Sequence, residues 1–199
     1  MRRVPHPVAI ITTTSADSTS NPNPNSTPRG MTVSSFNTVT LHPKPVISFN
    51  VHHPSETLLA LQSSSRFLVH LLAPGAAAAR LARDFARGNE NLELGDFEWD
   101  CYKILPRLRR RRKRQQHSSQ GKEKDEEKEE DFSFVLECQY LPDKTIQVYD
   151  HMIVLGTVEK VLSASPRSST DIDTKNHKRH DFCLTYADTR FWKMGEQVE

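Results

Sequence analysis

The hydroxyl side chains best suited to hold a ligand lie close together in one short, strand-like stretch near the start of the chain. These hydroxyls stand among apolar residues and belong to Thr32, Ser34, Ser35, Thr38 and Thr40. Such a strand can hydrogen-bond the edge of a flat polar ring while its apolar side chains pack beneath it. The alternative is an ordinary half-buried strand that is rich in Ser and Thr.

His151 is the titratable residue best placed for a chemical role, because it directly precedes a predicted strand, Met152–Val158. Two interpretations stay open: a histidine near a bound ligand, or a hydrogen-bonded turn histidine. The pairs His52–His53 and His177/His180 fall in polar connections. They are interpreted as solvated loop residues and not as metal ligands.

The three cysteines of the chain are far apart and match neither a zinc-binding spacing nor a disulfide framework. We therefore expect no metal site and a reducing, intracellular compartment, cytoplasmic by default. A mitochondrial location would follow if Arg2 and Arg3 ended a longer basic presequence. No apolar run approaches the roughly 20 residues that span a bilayer, so no membrane association is expected.

Short β-branched and apolar runs predict a mainly β chain of six or seven strands. The clearest are Pro7–Thr14, Val46–Val51, Arg66–Leu72, Phe132–Tyr140 and Met152–Leu162. Only two short helices interrupt them, which favours a small closed β-barrel over a parallel sheet. A length of 199 residues is typical of a single domain, residues 1–199.

Both predicted helices carry boundary signals. Ser55 suits the N-cap of the first, and Glu56 favours the positive end of its dipole. The second is predicted at Ala76–Arg87, with Gly88 as its stop.

The polar character of the chain, with a mean hydropathy of −0.63, is concentrated in residues 106–131. From Arg107 to Asp131 there are ten basic and seven acidic residues, whereas the remainder holds 17 basic and 18 acidic ones. Such a segment buries too little apolar surface to offset its ordering entropy, so it is predicted to be a disordered insertion.

The Arg-rich run also suits a nuclear-localisation or nucleic-acid patch. No aromatic residue is interleaved in the run and acidic residues follow it, so nucleic acid is not expected as the main ligand.

Several segments, in order, resemble the flavin reductase-like family, whose fold is the Greek-key FMN-binding split barrel. The resemblance covers roughly 4–88 and 132–195. It is carried by Pro7-Val-Ala-Ile-Ile-Thr-Thr, Gly30-Met-Thr-Val-Ser-Ser-Phe-Asn, Ser48-Phe-Asn, Ser55-Glu-Thr-Leu, Asp150-His-Met-Ile-Val-Leu-Gly-Thr-Val and a closing segment with Tyr186 and Arg190.

The resemblance implies a site for FMN, with FAD as the other option. Ser34 and Ser35, then Thr32, would contact the flavin ring. Ser48, Asn50, Ser55 and Thr57 would hold the ribityl and phosphate groups, and Tyr186 would lie on the closing segment. His151 would lie near the cofactor or a subunit interface. A helix N-terminus offers amides to a phosphate, although Ser55 also suits an ordinary N-cap.

The activity implied is hydride transfer from NADH or NADPH to flavin, with a homodimer and a flavin-dependent oxygenase as partners. A second class is a flavin-binding electron carrier without reductase turnover. A third is an interaction protein on a degenerate barrel, recruited through the charged insertion.

Overall fold

The computed structural model describes residues 2–14, 27–89, 92–111, 131–162 and 182–195. The predicted loops at 15–26 and 163–180, and residues 112–130 of the predicted insertion, lie outside the described residues. The elements in chain order are β1 His6–Pro7, β2 Ala9–Thr14, β3 Pro28–Val33, β4 Asn37–Thr40, β5 Val46–His52, α1 Glu56–Ser64, β6 Arg66–Leu72, α2 Ala76–Ala86, β7 Phe97–Tyr102, β8 Leu105–Arg110, β9 Phe132–Tyr140, a short 3₁₀ helix Pro142–Lys144, β10 Ile146–Val148, β11 His151–Leu162, β12 Thr185–Ala187 and β13 Arg190–Trp192.

One curled antiparallel sheet forms the body of the domain, in the order β3-β2-β6-β9-β11-β5-β4, with β10 paired to β11. Strand β11 is long enough to pair with β5 along its first half and with β9 along its second half. The curl brings the end of β3 back to β5, where the Asn50 amide donates a hydrogen bond to the Ser35 hydroxyl at 2.8 Å. The mainly β prediction with two helices is confirmed.

The curled sheet separates two apolar cores. The inner core packs one face of the sheet against α1 and includes Phe49 and Phe67, whose rings meet edge to face at 5.6 Å. Gly156 on β11 allows this packing, because a Cβ there would lie 2.5 Å from the Phe67 ring. The outer core packs the other face against α2 and includes Leu81 and Phe85.

The boundary signals of both helices are confirmed. Ser55 is the N-cap of α1, and its hydroxyl accepts a hydrogen bond from the Leu58 amide. Helix α2 ends at Ala86, and Gly88 follows with a φ of +99°, a conformation that glycine adopts without strain.

The predicted boundary of the charged insertion is wrong at its N-terminal side. Residues 105–110 form β8, which pairs with β7 in a hairpin that the sequence analysis did not predict. Leu108 is 1% exposed and belongs to the outer core. The described part of the chain holds thirteen strands rather than six or seven, because this hairpin and several two- or three-residue strands add to the count.

Two buried polar side chains fasten this hairpin to the sheet. The Thr12 hydroxyl donates to the Pro106 carbonyl at 2.6 Å, and Nε2 of His70 accepts from the Leu108 amide at 3.1 Å. Nδ1 of His70 therefore carries the proton and donates to the Ile10 carbonyl at 3.3 Å. Burial lowers the pKa of His70 to about 3, so the imidazole is neutral at ordinary pH.

Within the described ranges, no helix is both long and apolar enough to cross a bilayer.

Candidate functional site

The outward side of β5 and β11 presents a polar row beside an apolar row. Ile47, Phe49 and Val51 of β5 are buried, so the alternate residues of that strand face outward. The strand register places each of these directly opposite a residue of β11. We call this surface the outer β5–β11 face; it consists of the pairs Ser48 with Leu155, Asn50 with Ile153, and His52 with His151.

Three predicted site residues are therefore brought together on this face: Ser48, Asn50 and His151. A rise of about 3.3 Å per residue separates Ser48 from His52 by about 13 Å along the strand. Leu155 and Ile153 are half-buried and give the face an apolar floor. A flat ligand with a polar edge can lie along such a surface.

Ser35 borders the same face from the segment that follows β3, and Ser34 is its neighbour in the chain. The Ser35 hydroxyl accepts from the Asn50 amide and also lies 3.5 Å from the Asn50 carbonyl oxygen. The Ser35 hydroxyl thus holds the segment after β3 against β5. Ser34 is half-buried, and its hydroxyl forms no hydrogen bond to another described residue.

His151 belongs to a cluster that includes two residues not predicted as site residues, Asp150 and His52. Nδ1 of His151 lies 2.8 Å from one carboxylate oxygen of Asp150, and Nε2 of His52 lies 3.5 Å from the other. The hydrogen bond from His151 holds the pKa of Asp150 below its usual value. His52 therefore lies in a strand and contacts Asp150 and the His151 ring, which corrects its interpretation as a solvated loop residue.

The N-terminus of α1 forms a second polar region. Arg29 of β3 pairs with Glu56 of the first helical turn at 2.6 Å. Thr57 is buried; its hydroxyl donates to the Gly30 carbonyl at 3.3 Å and accepts from the Asn89 side-chain amide at 3.5 Å. The Thr57 hydroxyl is thus engaged within the protein, while Ser55 caps the helix.

A cleft of about 590 Å³ opens beside this helix terminus. Its lining combines the guanidinium groups of Arg29 and Arg111 with one acid, Glu93, and one aromatic ring, Trp99. Because Arg29 is paired with Glu56 and Glu93 offsets Arg111, the cleft has no net positive charge.

Thr32 and Tyr186 lie apart from the outer β5–β11 face. The Thr32 hydroxyl donates to the Ala82 carbonyl of α2 at 2.7 Å, so it faces the outer core. Tyr186 lies in a separate three-stranded sheet with β1 and meets the Phe191 ring edge to face at 5.4 Å.

No group of three or more His, Cys, Asp or Glu side chains in the described ranges could hold a metal ion. What the described site offers is hydrogen bonding, apolar contact and charge.

Comparison with known proteins gives relatives in sequence and in structure. The flavin reductase-like domain family matches residues 1–193. An NADH:FMN oxidoreductase of Rhodococcus qingshengii is 31% identical over 99 residues, which are 50% of this chain and 45% of that protein. The match thus spans about half the length of this curated relative.

Among solved structures, nitrilotriacetate monooxygenase component B from Mycobacterium thermoresistibile aligns with a TM-score of 0.65 and 16% identity, covering 97% of this chain and 82% of that one. The flavin reductase HpaC, solved with NADP+, aligns with a TM-score of 0.62 and 21% identity, covering 98% of this chain and 93% of that one. These likenesses agree on the fold, and the resemblance found in the sequence is confirmed. The chain belongs to the flavin reductase-like domain family.

Proposed function

We propose that this protein is an NAD(P)H-dependent flavin reductase that binds FMN, with FAD as the alternative. The family match over residues 1–193 is the observation that carries this proposal. The name of the Rhodococcus relative, an NADH:FMN oxidoreductase, supports both the flavin and the nicotinamide substrate.

The outer β5–β11 face fits the flavin ring. A flat ring with polar atoms along one edge needs donors and acceptors in a row and apolar contact beneath. Ser48 and Asn50 supply the row, and Ile153 and Leu155 supply the floor. Ser34 adds a hydroxyl that is not engaged with other described residues.

The N-terminus of α1 fits the flavin phosphate. The first amides of a helix lack intrahelical partners, and the helix dipole favours an anion there. Arg29 lies beside that terminus in an ion pair with Glu56, so its guanidinium adds hydrogen-bond donors there rather than net charge. Thr57 supports this region by tying α1 to β3 and does not need to touch the ligand.

The bound flavin supplies the redox chemistry, and the protein's part is to bind it, orient it and exclude competing reactions. Close stacking of two rings matters more for hydride transfer than an acid or base. The role assigned to His151 is therefore contact and positioning at the end of the ring, with its orientation set by Asp150.

We further propose a homodimer in which a second copy packs against the apolar borders of the outer β5–β11 face. Apolar side chains flank that face on strands β10 and β4: Ile146 is 58% exposed and Leu41, just after β4, is 64% exposed. Pairing about a two-fold axis, the commonest arrangement of soluble oligomers, would bury them. Sedimentation of the flavin-loaded protein at micromolar concentration tests this, and a monomer would refute it.

A flavin-dependent oxygenase is the proposed partner, because one structural relative is named as a component of a monooxygenase.

The three free cysteines support an intracellular, cytoplasmic location.

Reductase turnover is tested by mixing purified protein with FMN and either NADH or NADPH in air and following the nicotinamide absorbance. We expect each protein molecule to oxidise many equivalents of the nicotinamide donor, and oxidation to be faster with one of the two donors than with the other. Binding of FMN without oxidation would indicate the electron carrier instead. Absence of both would refute the proposal.

A further inference from the structure

His52, Asp150 and His151 form a compact cluster at one end of the outer β5–β11 face. Strand pairing sets the two histidines directly opposite each other, with their rings edge to face at 5.2 Å. The amide of His53 donates to the Asp150 carbonyl at 2.8 Å and holds the aspartate beside both rings. Strand pairing and this hydrogen bond thus fix the backbone positions of all three residues.

Each imidazole turns one nitrogen toward Asp150 and the other away from it. The nitrogens facing Asp150 are Nδ1 of His151 and Nε2 of His52. Nε2 of His151 and Nδ1 of His52 are left to meet a ligand. When both rings are protonated, the cluster carries a net charge of +1 and presents two N–H donors.

The surroundings add little charge to this cluster. Strand β10, which flanks β11 here, contributes Ile146, Gln147 and Val148, and the next outward residue of β5 is Asn50. Tyr149, in the turn before Asp150, is 93% exposed, and His53 is also exposed. The hydrogen bond from His151 lowers the pKa of Asp150, so this carboxylate is ionised at ordinary pH.

We propose that His52, paired with His151 through Asp150, contacts the negatively charged diphosphate of the nicotinamide dinucleotide. This inference rests on the proposed function, which brings that substrate to the outer β5–β11 face. The proposed function assigns the flavin phosphate to the α1 terminus, which leaves the histidine cluster for the second anion of the reaction, the diphosphate of the dinucleotide.

The test compares His52→Gln with His53→Gln, a neighbouring exposed histidine whose ring lies outside the cluster. Calorimetry measures binding of ADP-ribose, which has the diphosphate but no nicotinamide, in saturating FMN at about pH 6 and about pH 8. We expect His52→Gln to weaken binding about three- to fivefold near pH 6, as for a partly exposed charge contact, and to have little effect near pH 8. His53→Gln should bind like the wild type.

Steady-state rates give a second readout. Near pH 6, the KM of His52→Gln for NADH should rise about three- to fivefold, as the ADP-ribose affinity falls, while its kcat is retained. Its KM for a phosphate-free dihydronicotinamide should not change. Equal ADP-ribose affinity in wild type and His52→Gln near pH 6 would overturn the inference, as would an equal KM increase for the phosphate-free donor.

The two proposals fail separately. Turnover with NADH but no dependence of ADP-ribose binding on His52 refutes the histidine contact alone. Binding that depends on His52 without any NADH oxidation refutes the reductase alone.

Discussion

Leu108 provides a sharp test of the hairpin formed by β7 and β8, because it lies within an arginine-rich run that composition assigns to a solvated loop. Its side chain is 1% exposed and belongs to the same core as Phe97, Leu105 and Phe132. Replacing a buried Leu by Ala removes apolar contacts and leaves a cavity, which costs about 2–5 kcal/mol. We expect Leu108→Ala to lower the free energy of unfolding by about 3 kcal/mol. For a chain of this size that corresponds to a fall in Tm of about 6–12 °C.

Arg109→Ala is the matched control on the same strand. Arg109 is exposed and pairs with Glu98 at the surface, an interaction worth about 0.2–1 kcal/mol. Thermal denaturation followed by circular dichroism, with urea titration for the free energy, measures both variants. If Leu108→Ala unfolded within about 0.5 kcal/mol of the wild type, residues 105–110 would not pack as the structure has them.

Three further outcomes are expected. Deleting residues 112–130 should change Tm by less than about 3 °C. The ion pair of 2.9 Å between Arg110 and Asp131 already brings the flanking ends together, and a short loop closes at little entropic cost. A larger fall in Tm would show that the deleted residues stabilise the domain. Gly30→Ala should cost about 1–3 kcal/mol in urea denaturation, since its Cβ would lie 2.4 Å from the Phe85 ring, and unchanged stability would contradict that packing. Burial lowers the pKa of His70 in the folded state to about 3, whereas the unfolded residue has the ordinary value of 6.5. The free energy of unfolding should therefore be highest above about pH 6.5 and fall as the pH is lowered toward 3, by about 2 kcal/mol at pH 5. His70→Gln should lose that part of the pH dependence, and an unchanged dependence of the unfolding free energy on pH would refute its assignment to His70.

Elements with clear local signals could be predicted from sequence. Strands β6 and β9 have the predicted bounds, because each is rich in apolar residues and directly follows polar ones. The start of α1 was predictable because Ser55 and Glu56 satisfy requirements that lie within one helical turn.

The hairpin was missed because β8 holds only two leucines among three arginines. Averaged over a window, residues 105–110 read as part of the charged segment, although Leu105 and Leu108 are both buried. Leu105 and Leu108 are three residues apart, so β8 lacks the period of two that marks a half-buried strand, and its burial depends on the packing of the hairpin against the sheet.

The site could be predicted only in part, because the sequence shows which hydroxyls exist but not which way they face. Thr32 faces α2 and Thr57 faces β3, and both orientations depend on the packing of helices against the sheet. The alternation of β5 indicates that His52 points outward. Its meeting with His151 depends on the register between strands 99 residues apart in the chain, which no local pattern reveals.

Titration of FMN against the protein, followed by quenching of flavin fluorescence, tests the assignment of the flavin site most directly. The variants are Ser48→Ala combined with Asn50→Ala on the outer β5–β11 face, and Gln62→Ala, an exposed polar residue of α1, as the control. Each lost hydrogen bond is worth about 0.5–1.5 kcal/mol, so the double variant should raise the Kd at least about fivefold, whereas Gln62→Ala leaves it unchanged. An unchanged Kd in a folded double variant would contradict the assignment of the flavin to this face.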